Sequence, residues 1–389
     1  MEPRYDQPRF QAVVDQFGEP ESRRLLSTPA LVCEHDLLVE NVARMATKTA
    51  LAGTALRPHV KSHKSAYVAR LQLEAGASGL AFAKLSEAEA VTARLRSDGY
   101  QPRVSALLTS PLVGAALAQR AVALASHCDL IEVVDHLDGV DELASAAKEA
   151  TAELSVLCDV DVGLGRTGVT VPNEALRVVE RIEASSHLGF GGVQGYGGHL
   201  QHISGRDERR TATVASTGLL QRVIEALESH GHRVTLRTGG GTGTSEIDIE
   251  LGLLNELQCG SYVFMDREYR DALGDDAEGR FGQSLTIETT VLSDNQVNFV
   301  TVDAGLKAMA TDAGSPLVVG HERNVIYQFF GDEQGLVTRG PHNPFHRGDR
   351  LRLVPPHCDP TVDKYDLIWL VRGDVVLGVA DVVARGCSQ

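Results

Sequence analysis

Leu56-Arg57-Pro58-His59-Val60-Lys61-Ser62-His63-Lys64 is a short apolar-to-basic run that leads into a helix-patterned segment, residues 65–74. An apolar run followed by a 3.6-residue period is one strand-to-helix unit. The unit recurs. Extended runs at 56–60, 79–83, 103–108, 130–134, 154–160, 188–196, 233–236 and 257–264 alternate with Ala-, Leu- and Glu-rich segments such as 65–74, 87–95 and 212–228. Eight repeats predict an α/β fold, a parallel (β/α)8 TIM barrel. The competing open, doubly wound sheet lacks its GxGxxG turn after the first strand.

Beyond Arg270 the texture changes. Residues 284–292, 296–302, 316–319, 324–330, 350–354 and 366–371 read as strands, and Ser293-Asp294-Asn295 and Arg372-Gly373-Asp374 as turns. Long helical patterns are lacking, which predicts a separate antiparallel β domain. The expected division is a barrel over 30–270 and a β domain over 271–389, with 1–29 joining the latter or the barrel.

A chain of 389 residues suits two domains. The formal net charge of -15 argues against nucleic-acid binding, which needs a basic face. The start, Met1-Glu2-Pro3-Arg4-Tyr5-Asp6, is polar, reads as no signal peptide, and no apolar run is long enough to cross a bilayer. Cys33, Cys128, Cys158, Cys259, Cys358 and Cys387 form no CxxC pair. They predict reduced, mostly buried thiols and a cytoplasmic protein.

Barrel chemistry sits where strands run into helices. Lys61 follows strand one, and a desolvated lysine amine can attack a carbonyl. A solvated basic loop is the plain alternative. Asp159-Val160-Asp161-Val162-Gly163-Leu164-Gly165-Arg166-Thr167-Gly168 follows strand five, and Gln194-Gly195-Tyr196-Gly197-Gly198-His199-Leu200-Gln201-His202 follows strand six. Arg237-Thr238-Gly239-Gly240-Gly241-Thr242-Gly243-Thr244 follows strand seven, and Gly260-Ser261-Tyr262 lies on strand eight. Glycines let backbone N–H groups approach an anion, and phosphate sites in barrels often follow strands seven and eight. A lysine for an aldehyde, a phosphate cradle and ring-holding groups point together to pyridoxal 5'-phosphate. Arg166 is a donor for its ring oxygen and Tyr196 a partner for its ring. The plain alternatives are a surface salt bridge for Arg166 and barrel packing with a backbone-bonded hydroxyl for Tyr196.

The other dense feature is Val354-Pro355-Pro356-His357-Cys358-Asp359-Pro360-Thr361. On an extended segment His357 and Asp359 share a face, with Cys358 opposite. An imidazole with a carboxylate suits a divalent ion such as Mn²⁺, Co²⁺, Mg²⁺ or Zn²⁺. A polar turn is the alternative.

Taken together, Arg-Pro-His-x-Lys-x-His-Lys, Asp-x-Gly-x-x-Arg-x-Gly, Gln-Gly-Tyr-x-Gly-His-x-Gln-His, Thr-Gly-Gly-Gly-Thr and Pro-x-His-Cys-Asp-Pro-Thr resemble the D-threonine aldolases. These fold-type III pyridoxal phosphate proteins share the alanine racemase architecture. The resemblance runs from Thr28 to Asp366. It implies that Lys61 holds the cofactor's aldehyde, with Lys64 as the competing choice, and that Arg166 and Tyr196 contact the ring. The Lys61 choice is reinforced by strand parity with Arg57 and His59. Gly240, Gly241, Thr242, Gly260, Ser261 and Tyr262 would hold the phosphate. His357 and Asp359 would bind the metal, with manganese the first choice. His202 would act on the substrate hydroxyl, through a metal-bound water or directly, as acceptor of its proton.

The activity implied is cleavage of D-threonine and related D-β-hydroxy-α-amino acids to glycine and an aldehyde. D-serine or 3-hydroxy-D-aspartate dehydration and 3-hydroxy-D-aspartate cleavage are the alternatives. The related dehydratases carry His-x-Cys where this chain has His-Cys-Asp, which tilts the reading to the aldolase. A racemase would need no metal, and a cofactor carrier no second domain. A homodimer is implied by resemblance only, and Phe82-Ala83-Lys84-Leu85 lacks the Gln-Lys pair of many relatives.

Overall fold

A computed structural model describes residues 10–274, 281–340 and 344–389. The amino-terminal stretch read above as lacking a signal peptide, residues 1–6, lies outside them. The chain divides into two compact units. One combines the chain up to Arg44 with Ser62–Val68 and Ser261–Gly386; the other combines Met45–Lys61, Ala69–Gly260 and Cys387–Gln389.

The first strand, β1 (Ala30–Glu34), belongs to the former unit. The next eight build the latter: β2 (Ala55–Leu56), β3 (Leu80–Phe82), β4 (Ser105–Leu108), β5 (Asp129–Val134), β6 (Leu154–Asp159), β7 (Leu188–Gly195), β8 (Leu236–Gly239) and β9 (Glu256–Leu257). They lie in the order β2-β9-β8-β7-β6-β5-β4-β3, all parallel. The seam between β2 and β3 closes through a parallel bridge, His59 to Ala81, and the Ala81 N–H donates to the Pro58 carbonyl at 2.9 Å. The eight-stranded parallel barrel predicted from the alternation is therefore what forms. Its helices bury one stripe each. In Pro172–Glu183, proline opens the first turn, and Ala175, Val178, Val179 and Ile182 give a buried face at helical spacing.

Three predicted strands need correction. The first ends at Leu56 because Pro58 has no N–H for the ladder, and Val60–Ser62 tightens into a 3₁₀ turn. Lys61 is thus not on a strand, and the strand parity of Arg57, His59 and Lys61 does not hold. The seventh starts at Leu236 and runs into the glycine run, since a Cβ on Gly239 would meet the Gly195 carbonyl at 2.1 Å. The eighth ends at Leu257, and Ser261–Val263 is a 3₁₀ turn. A buried apolar run of that length does not announce its period.

Inside the barrel the side chains are polar and joined. Arg57 Nε donates to Glu256 (2.7 Å), and Ser78 and Thr238 also donate to that carboxylate (2.8 and 3.0 Å). Gln258 Nε2 donates to Thr238 and to Gln194, each at 3.1 Å. Gln194 Nε2 donates to Asp159 (2.8 Å), whose other oxygen accepts from Thr167 (2.8 Å). A chain of hydrogen bonds thus rises from Arg57 to the loop after β6. The apolar share of the interior is Leu107, Val133 and Leu157, with Ile131 and Leu236 against them.

In the other unit, β10 (Leu285–Ser293), β11 (Phe299–Val302), β12 (Leu317–Val318), β13 (Tyr327–Phe329), β14 (Gly335–Thr338), β15 (Arg350–Val354), β16 (Leu367–Arg372) and β17 (Val375–Asp381) follow. The order is β13-β14-β11-β10-β1-β16-β17, with β15 bonded to β10 and β12. The pairings are antiparallel except β1 with β16, which runs parallel in the register Val32 to Trp369. The predicted antiparallel domain is therefore a mixed, antiparallel-rich sheet. β14 and β17 were not among the expected strands. Val13, Leu26, Ala30, Val32, Leu367, Trp369, Val371 and Val376 form one cluster of its core, and Phe10 meets Trp369 edge-on at 5.4 Å. Five of the six cysteines are buried, Cys387 is half-buried and all are free, as the spacing predicts.

Candidate active site

On the barrel unit, the segment after β2 presents Lys61. The Lys61 N–H donates to His59 Nδ1 at 3.4 Å, and His59 Nε2 lies 3.2 Å from the Thr109 hydroxyl. The Lys61 Nζ sits 5.9 Å from the Tyr196 ring centroid, and the Arg166 guanidinium 5.5 Å from the same centroid. Three of the sequence-nominated residues are thus brought together around one aromatic ring. Arg166 forms no ion pair among the described residues, so the surface salt bridge considered for it is not what is seen.

The loop that carries Arg166 is built by its aspartates and glycines. Asp161 accepts from the N–H groups of Gly163 and Gly165 (2.9 and 3.0 Å), and Asp135 accepts from Gly168 N–H (2.9 Å). Gly168 has φ +105°, and a Cβ there would meet the Asp161 nitrogen at 2.4 Å. At the base of the loop Asp159 is buried, and that burial lifts its carboxyl above the usual range against the pull of Gln194 and Thr167. His202 is exposed in the turn after the short helix Gly198–Leu200.

The glycine run after β8 is buried from Thr238 through Ser245. Gly240 has φ +66°, open to glycine at little cost. Gly241 N–H donates to Thr244 Oγ1 (3.3 Å) and Gly243 N–H to Gln201 Oε1 (2.9 Å). Thr242 lies between them.

In the β unit, His357 is the extended residue before the short helix Cys358–Val362, whose first turn holds Asp359. The two are therefore not alternate positions of one strand. Cys358 is not opposite Asp359 either: its Sγ lies 3.3 Å from Asp359 Oδ1. Burial pushes the Cys358 thiol well above its ordinary pKa. The Ser261 hydroxyl also donates to Asp359 Oδ1 (3.3 Å), which joins a residue nominated for phosphate to one nominated for metal. Tyr262 is wholly buried against Phe281, with ring centroids 5.4 Å apart.

Sequence reasoning missed the carboxylates around His357. Asp312 Oδ2 lies 2.7 Å and Glu268 Oε2 3.9 Å from His357 Nδ1. Asp266, fully buried, accepts from the N–H groups of Cys358 (2.8 Å) and Tyr269 (3.0 Å). Burial raises Asp266 to about 6 despite those bonds. Burial lowers the imidazole's affinity for a proton, but Asp359, Asp312 and Asp266 outweigh it, and the His357 pKa ends above its ordinary value. No motif marks Asp312, because it lies on an exposed connection 45 residues from its partner.

The donor chemistry fits both groups read from the sequence. A metal-binding imidazole characteristically gives its second nitrogen to a carboxylate, as His357 Nδ1 does to Asp312. Among the described residues no cluster of three or more His, Cys, Asp or Glu is arranged to hold a metal ion. Of the two lysines, Lys64 is bound to Asp363 at 2.7 Å.

Residues 34–268 match the family described as "Alanine racemase, N-terminal domain", and residues 284–371 match the "Putative serine dehydratase domain". The chain is 35% identical over 377 residues to a D-threonine aldolase of Arthrobacter sp, covering 96% of both chains. It is also 35% identical over 367 residues to a 3-hydroxy-D-aspartate aldolase of Paracoccus denitrificans, covering 93% of this chain and 92% of that one. The crystal structure of D-threonine aldolase from Filomicrobium marinum superposes with a TM-score of 0.88 at 30% identity, over 94% of this chain and 97% of that one.

Proposed function

Since this chain belongs to the alanine racemase N-terminal domain family, the fold-type III pyridoxal phosphate enzymes, we propose that it is a carbon–carbon lyase of D-β-hydroxy-α-amino acids. Its substrates are D-threonine and relatives with a methyl or carboxylate β-substituent, and its products are glycine and an aldehyde. The observation that carries this reading is the end-to-end match to two aldolases, which takes in both the Lys61 segment and His357-Cys358-Asp359.

Pyridoxal phosphate, when bound, supplies the electron sink for a broken Cα–Cβ bond, and a divalent ion, manganese in the first instance, supplies a Lewis acid for the substrate hydroxyl. The protein's own part is positional. Lys61 holds the aldehyde, while the Lys64 ammonium is committed to Asp363. Arg166 and Tyr196 flank the ring, and the Gly240–Thr242 backbone, with Gly260, Ser261 and Tyr262, receives the phosphate. His357 and Asp359 bind the metal, Asp312 fixing the imidazole. His202, an exposed imidazole, accepts the hydroxyl proton as general base. Asp359, standing where the His-x-Cys dehydratases carry a cysteine, offers a carboxylate in place of a thiolate and favours the aldolase.

The test is a product panel. D-threonine and 3-hydroxy-D-aspartate should each give equimolar glycine and aldehyde, with loss of turnover on chelation and recovery with Mn²⁺. Formation of a 2-oxo acid and ammonia instead would transfer the protein to the dehydratases, and turnover indifferent to chelation would remove the metal role.

A further inference from the structure

Behind the glycine loop of the barrel unit is a polar knot that the reading above leaves unused. Thr244 Oγ1 donates to Asp248 Oδ2 at 2.6 Å, and accepts from Gly241 N–H (3.3 Å) and from Gln201 Nε2 (3.2 Å). Gln201 uses its other end as well. Its Oε1 accepts from Gly243 N–H (2.9 Å), and its Nε2 donates to the Gly197 carbonyl (3.1 Å). Asp248 and Gln201 also abut the loop: a Cβ on Gly240 would lie 2.5 Å from Asp248 Oδ2, and one on Gly241 2.4 Å from Gln201 Oε1. Asp248, Thr244 and Gln201 are all buried. A cavity of about 30 Å³ lies behind the loop, lined among others by Gly240, Thr244, Asp248, Thr213 and Ser216. Space of that size holds one or two waters, so the loop could sink backwards if the knot were cut.

We propose that Thr244, Asp248 and Gln201 form a clamp that fixes the Gly239–Gly243 backbone for anion capture, and that Asp248 is a positioning residue for the cofactor's phosphate. The proposal rests on the reading that this loop receives that phosphate. Thr244 is the hub, because one oxygen accepts two donors and must pass its own proton to Asp248. Asp248 is a suitable terminus. Burial raises its carboxyl to about 7, so near neutral pH it carries less negative charge toward a phosphate than an exposed aspartate would. Among charged groups, the Lys48 ammonium lies 3.1 Å from the exposed Glu246 on the helix that carries Asp248, Ser245–Leu251. The thiol nearest in electrostatic terms is Cys259, which burial holds protonated.

The experiment compares binding of pyridoxal 5'-phosphate and of pyridoxal to the full-length apoenzyme, by absorbance titration, with the ³¹P shift of the bound phosphate. Wild type should prefer the phosphorylated form by orders of magnitude. Thr244→Val should cut that preference at least about tenfold, the equivalent of one lost hydrogen bond, move the ³¹P signal and leave pyridoxal affinity unchanged. Thr244→Ser should restore it. Asp248→Asn, which keeps an acceptor, should stay within about threefold of wild type, and Asp248→Leu should behave like Thr244→Val. No preference in wild type would overturn the phosphate reading of the loop. A wild-type preference that both Thr244→Val and Asp248→Leu leave intact would overturn the clamp alone. So would equal losses for the two ligands.

Discussion

Glu256→Ala should be among the most destabilising single substitutions in the barrel. Arg57 and Glu256 are 4% and 2% exposed, and the carboxylate takes every donor offered: Arg57 Nε on Oε1, Thr238 beside it, and Ser78 on Oε2. Deleting it leaves Arg57, among the described residues, with its contacts to Ser105 at 2.9 and 3.2 Å. Breaking a buried pair from one side costs about 3–5 kcal/mol, since the remaining charge is stranded. In a body of 150–250 residues each kcal/mol shifts the midpoint by about 2–4 °C, so a fall of roughly 6–20 °C is expected. Thermal melts by circular dichroism, at fixed protein and cofactor concentration, measure it. The double variant Arg57→Met/Glu256→Leu removes both charges and should recover most of the loss, a strongly non-additive result. A Glu256→Ala midpoint within about 2 °C of wild type would refute the reasoning, as would a double variant less stable than Glu256→Ala.

Three further outcomes are expected. Lys61→Ala should abolish the long-wavelength cofactor absorbance while Lys64→Ala retains it; the reverse pattern would move the cofactor to Lys64. Asp312→Asn should weaken divalent metal affinity about 10–100-fold by freeing the His357 ring, read by calorimetric Mn²⁺ titration, and unchanged affinity would deny Asp312 that role. Glu132 is fully buried, its oxygens lacking a hydrogen-bond partner among the described residues, and burial raises its carboxyl well above the usual range. A pKa raised on folding gives stability that is complete below the unfolded value and is lost as pH climbs through the folded one. Glu132→Leu should therefore raise the melting midpoint more at pH 8 than at pH 5, and an equal effect at both would contradict the burial argument.

The barrel was legible because each βα unit repeats the same two periods. Its strand ends were not, and each miss has a local cause. Pro58 ends a ladder that periodicity would extend, and Gly239 looks like loop yet pairs as strand because Gly195 leaves no room for a side chain. In the other unit β17 was missed beyond Arg372-Gly373-Asp374, where glycine and mixed polarity blur the alternation. The site divides the same way. Lys61, Tyr196 and Arg166 were nominated because they follow strands, where barrel loops gather, and the fold sets the three side by side. Asp312, Asp266 and Asp248 were not, because a carboxylate distant in sequence joins its partner only through the fold. Cys358 shows the limit of parity: the helix Cys358–Val362 begins at it, with Pro360 in the first turn, and replaces the extended geometry that face-counting assumes.

β1 lies in the middle of its sheet, flanked by β10 and β16. Its register partners, Leu285–Glu288 and Trp369–Val371, leave the ribosome only after roughly 250 residues or more have been added, on the order of ten seconds or longer at ordinary translation speeds. Throughout that interval Ala30-Leu31-Val32-Cys33 is an apolar segment with no native edge to join. A fragment begun at residue 271 would lack its central strand, so the β unit cannot be dissected by cutting the chain once.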